Sequence, residues 1–158
     1  MMWSGLLVGM GFVAQAVGML FYKQPLFSTL LLTGGLILIP VLLTQELRKY
    51  RLIVFGEQLS YSRCVTVMGV IYLFALIVAT LAYLLVFTYL FRDPTFVSYM
   101  EQSIELAGQM LGSEADREVL LESYRGITPA LMTRGVISLS FTLGTLYIFI
   151  ASIFLRRG

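Results

Sequence analysis

Glu101 and Glu105 stand four residues apart, a spacing that places two carboxylates on one helix face, where paired acids can exchange protons or hold a cation. Their surroundings complete neither chemistry. The 158-residue chain has no histidine and one cysteine, which excludes a histidine-based catalytic centre, a disulfide framework and a cysteine/histidine zinc site. No nucleophile beside a base and no phosphate-binding loop accompanies the two glutamates, so a solvated acidic face accounts for them. Cys64 follows Tyr61-Ser62-Arg63 without a lipobox-like stretch and reads as a small buried residue. Neither an enzyme nor a metal or cofactor is expected.

Two other groups carry chemistry of recognition. Arg48, Lys49 and Arg51 form a basic cluster in which each residue gains about 1 kcal/mol beside anionic lipid headgroups. Topology anchoring is the plainer reading of that cluster; contact with a lipid-linked phosphate or a peripheral partner is the functional one. Gln15 is a full amide inside an apolar run, and it is a candidate contact for a substrate or partner. The hydroxyls of Thr33, Thr66, Thr80, Thr88, Ser138, Ser140, Thr142, Thr145 and Ser152 are expected to bond back to their own helices or to join helices together. A net charge of +2 argues against a nucleic-acid surface.

The elements that must carry these residues follow from composition. Hydrophobic residues make up 58% of the chain and charged ones 13%, whereas a soluble domain carries about 25% charged. Residues 1–22, 24–45, 64–91 and 135–155 have no side-chain charge at all. At about 1.5 Å per residue, even the shortest run exceeds roughly 30 Å of hydrocarbon. Backbone amides must be satisfied internally there, which predicts helices, and no period-two alternation suggests a barrel. The expected fold is an all-α integral membrane protein, one domain over 1–158, with spans at about 3–22, 25–46, 64–91 and 132–155. Ala14-Gln15-Ala16 mimics a cleavage site but lies within the first run with no Lys or Arg before it, so 1–22 reads as an uncleaved anchor.

Local signals set the boundaries. Lys23-Gln24-Pro25 leaves room only for a tight hairpin, and Pro40 should bend the second span. Ser60, Asp93 and Thr128 are candidate caps, the last two followed by Pro94 and Pro129 in the first turn. Gly5 with Gly9, Ala14 with Gly18, Ala75 with Ala79, and Ser140 with Gly144 are small-xxx-small pairs that suit close internal packing first and self-association second.

Charge asymmetry predicts orientation. Arg48, Lys49, Arg51, Arg63, Arg156 and Arg157 fall on one side, and only Lys23, Arg92 and Arg134 lie near span ends on the other. The positive-inside rule then puts both termini in the cytoplasm. The segment 93–126 is extracytoplasmic and acidic. In it Phe96, Met100, Ile104, Ala107 and Leu111 share one apolar arc, and Ser113 reads as the cap of a second short helix. That stripe can pack on the spans, lie on the membrane surface or dock a partner.

The stretch Arg48-Lys49-Tyr50-Arg51, then Gly56 and Ser60-Tyr61-Ser62-Arg63, the aromatic and acidic 96–111 segment and the short basic tail resemble a family of small four-span bacterial inner-membrane proteins of unknown function. The resemblance implies a cell-envelope context, with lipid-linked sugar assembly nearby, and carries no catalytic residues. Leu52-Ile53-Val54-Phe55 is more apolar than that family's loop. The expected function is a non-enzymatic accessory or scaffold subunit of a cell-envelope assembly. It would sit in the lipid bilayer beside another integral membrane protein or a second copy of itself. The alternative is a small oligomeric transporter or lipid-handling protein for a lipid-linked carrier.

Overall fold

A computed structural model describes residues 1–54, 59–110 and 114–156. Six helices follow one another: α1 (Met2–Leu20), α2 (Pro25–Val54), α3 (Tyr61–Leu90), α4 (Pro94–Met110), α5 (Glu114–Arg125) and α6 (Pro129–Leu155). α1, α2, α3 and α6 are each long and apolar enough to cross a membrane, and the chain is a multi-pass, all-α membrane protein.

The bundle is organised on α1 and α3. α1 packs against α3 and α2, while α6 packs chiefly on α3. Val8, Phe12 and Ala16, four residues apart, bury one face of α1 against a seam of α3 that includes Met68, Ile71, Ala75 and Ala79. In lipid no hydrophobic gain drives two helices together, so close backbone approach and van der Waals contact must do it. Gly5 and Gly9 supply that approach: a Cβ at Gly9 would stand 2.8 Å from the Val78 Cβ, and one at Gly5 would strike Phe74. α1 and α2 cross where Gly11 meets Gly35, whose Cβ would come within 2.6 Å of the Gly11 carbonyl oxygen. The small-residue pairs thus join helices of the same chain.

α2 extends well past the expected span boundary at 46. Leu43 and Leu47 keep its buried face in register, and Gln45 to Arg51 are mostly strong helix formers, so the helix runs to Val54. The apolar Leu52 and Ile53 are therefore helical and outward-facing. The helix is also unbroken at Pro40, although the missing N–H leaves the Leu36 carbonyl without its usual donor.

Three of the boundary signals are met. α2 begins at Pro25, Asp93 Oδ1 accepts from the Thr95 amide at 2.9 Å, and Thr128 Oγ1 accepts from the Leu131 amide at 3.3 Å. Ser60 occupies the N-cap position of α3 with extended backbone, but its hydroxyl makes no capping bond. Ser113 lies outside the described residues.

Candidate functional site

α2 and α6 flank α1 and α3 without packing on one another along their lengths, and the space between them is a cleft of about 280 Å³. That is near the lower end of ligand pockets, which run from roughly 300 to 1,000 Å³. Phe12 and Tyr72 line its inner side, Leu36 and Leu43 the α2 wall, and Leu143 and Gly144 the α6 wall. Gln15, Tyr72 and Tyr147 bring polar atoms into this apolar lining.

Each of those atoms is held. The Tyr72 hydroxyl donates to the Ser140 carbonyl at 2.6 Å, and its ring lies so close to Gly144 that any Cβ there would collide with it. Gln15 Oε1 accepts from the Tyr83 hydroxyl at 3.0 Å, and Gln15 Nε2 reaches the Leu32 carbonyl at 3.4 Å. Tyr147 reaches across to α2: it donates to the Pro40 carbonyl at 3.2 Å and lies 2.8 Å from Thr44 Oγ1, which then serves as donor to it. Thr66, Thr80, Thr88 and Thr142 bond to carbonyls one turn back.

A second hollow, of about 290 Å³, shares Pro40 and Tyr147 with the first and continues to Thr44, Gln45 and Arg48. It brings one member of the basic cluster to the cleft. Arg48 is exposed, Lys49 is ion-paired with Glu46, and Arg51 is half-buried on the last turn of α2. Within four residues of one another, the three cations have three different surroundings.

Glu46 itself was not singled out from sequence. It is 5% exposed on the inner face of α2, with Lys49 as its partner. The available signal was a carboxylate between Leu43 and Leu47 with a lysine at i+3, a pattern that makes sense only if the helix continues past 46. The phenols of Tyr72, Tyr83 and Tyr147 were missed for another reason: their partners lie on other helices, beyond the reach of local spacing.

At the opposite end of the bundle, Asp93 ties the α1–α2 turn to the α3–α4 turn. Its Oδ2 accepts from the Tyr22 hydroxyl at 2.9 Å and lies 3.8 Å from Lys23 Nζ. The Thr95 backbone N–H, then the Tyr22 hydroxyl and the Lys23 ammonium, hold the Asp93 carboxyl below the ordinary aspartate range. The Tyr22 ring meets Phe96 edge-on at 5.3 Å. From this anchor the α4 stripe fades outward: Phe96 is buried, Met100 packs against the core, Ile104 is half-buried and Ala107 is exposed. Leu111 lies outside the described residues. Glu101 and Glu105 are exposed, and Cys64 is fully buried. Among the described residues no three His, Cys, Asp or Glu side chains gather as metal ligands would.

Compared with family models, curated proteins and solved structures, the chain matches none of them.

Proposed function

We propose that this chain is a non-catalytic protein of the bacterial inner membrane that holds an amphiphile in the cleft between α2 and α6, with both termini on the cytoplasmic side. The carrying observation is the cleft: an apolar hollow between two weakly associated helices, with hydroxyl and amide groups at Tyr72, Tyr147 and Gln15. Pockets that take small molecules have that composition, mostly apolar with a few placed polar groups. The orientation rests on the basic residues gathered at the end shared by the termini and the 46–63 segment.

Lipid retention tests the reading. Leu143 lines the cleft and Leu139, one turn earlier on α6, does not. After exhaustive detergent exchange, the wild-type chain and Leu139→Trp should retain lipid by mass spectrometry, and Leu143→Trp should lose it. Equal retention in all three overturns the proposal.

A second reading, an accessory subunit of a larger envelope assembly, is favoured by α6. That helix turns Leu139, Phe141, Leu146 and Phe149 outward, an apolar face wide enough for another integral membrane protein. Pull-down from native membranes in mild detergent tests it; a chain recovered alone every time counts against a stable partner.

A further inference from the structure

We infer that the cleft selects an anionic phospholipid, taking part of one acyl chain beside Tyr72 and Leu143 and placing the headgroup phosphate on Arg48. The inference rests on the amphiphile reading above and adds the chemical class of the ligand.

Three observations carry it. The lining changes character along its length: apolar where Leu36, Leu43 and Leu143 line it, polar where Thr44, Gln45 and Arg48 do. An amphiphile has the same order of parts. Charge is the second. Arg48 is exposed and makes no ion pair with a described residue, whereas its neighbour Lys49 is engaged by Glu46. A guanidinium in this position offers a planar fork of donors suited to two phosphate oxygens. Size is the third: about 280 Å³ is too small for a whole two-chain lipid, so the hollow receives one chain while the other stays in the bilayer. Tyr147 stands where the two hollows meet, bonded to Thr44 and Pro40, and marks the level at which chain gives way to headgroup.

The test compares headgroups on identical chains. Full-length protein is equilibrated in mixed micelles with equal amounts of phosphatidylglycerol and phosphatidylcholine, then examined by native mass spectrometry. Wild type should retain phosphatidylglycerol over phosphatidylcholine by about fivefold, the ratio expected for one basic residue at an anionic surface. Arg48→Gln should bring that ratio close to one. Arg156→Gln removes an exposed cation at the same end of the bundle that does not line the cleft, and should leave the ratio unchanged. An unchanged ratio in Arg48→Gln, or an equal fall in Arg156→Gln, overturns the inference while the cleft reading stands. Loss of the preference on adding inorganic phosphate assigns the site to the free anion and also overturns it. If Leu143→Trp leaves retention of both lipids intact, or dissolves a dimer whose seam fills the cleft, the amphiphile reading itself fails. Both tested cations are exposed, and an unchanged monodisperse elution confirms folding in each variant.

Discussion

Gly144 lies beneath the Tyr72 ring with no room for a methyl group, and the same phenol donates to the Ser140 carbonyl one turn away on α6. Gly144→Ala must therefore push the ring out or separate α3 from α6. Overpacking of this kind costs about 1–3 kcal/mol and should lower the thermal unfolding midpoint in detergent. Gly34 is the counterpart: nothing stands within 4 Å of its would-be Cβ. Gly34→Ala should hold or raise the midpoint, since alanine is favoured in a helix by about 1 kcal/mol. Tyr83→Phe takes the donor away from Gln15 Oε1, and interhelical bonds in membrane proteins are worth about 0.6 kcal/mol on average. A fall of that size is expected, smaller than that of Gly144→Ala.

α4 is joined to the spans near its start and packs against α5, whose Tyr124 hydroxyl donates to the Val97 carbonyl at 3.4 Å. The first turn of α4 is capped by Asp93 and anchored by Phe96, and the helix's exposure grows toward Ala107. Because the Asp93 carboxyl is held below the ordinary aspartate value, its contribution is complete above that value and disappears as pH falls through the lowered one. Asp93→Asn should loosen α4 at neutral pH, seen as faster amide exchange over 94–110. The stability gap between wild type and the variant should then close in acid, below the ordinary aspartate range. The start of this helix was legible in Asp93-Pro94, because capping is local. The spans were legible too, from uncharged length alone. The tie from Asp93 to Tyr22 was not, since it joins residues 71 apart and depends on which helices stand side by side. The same limit hid the cleft: its walls come from four helices, and nothing in any one run marks the gap between α2 and α6. α2 runs on beyond its uncharged stretch, and Glu46 and Lys49 pair with each other in that continuation.

For the molecule as a whole, four crossings put the α4–α5 segment on one side of the membrane and the ends of α2 and α6 on the other. In a Cys64→Ala background, Ser103→Cys and Arg156→Cys should react with an impermeant thiol reagent from opposite faces of sealed vesicles. Reaction of both from one face would refute the crossing count. The central place of α1 also bears on how the chain is made. α1 leaves the ribosome before α3, yet its Gln15 finds its closest side-chain partner only on α3, at Tyr83. Until α3 enters the bilayer, α2 can satisfy the amide nitrogen through the Leu32 carbonyl, while the amide oxygen lacks its Tyr83 donor. Commitment to the native arrangement thus waits for α3, and α1 settles only after a helix made later has arrived.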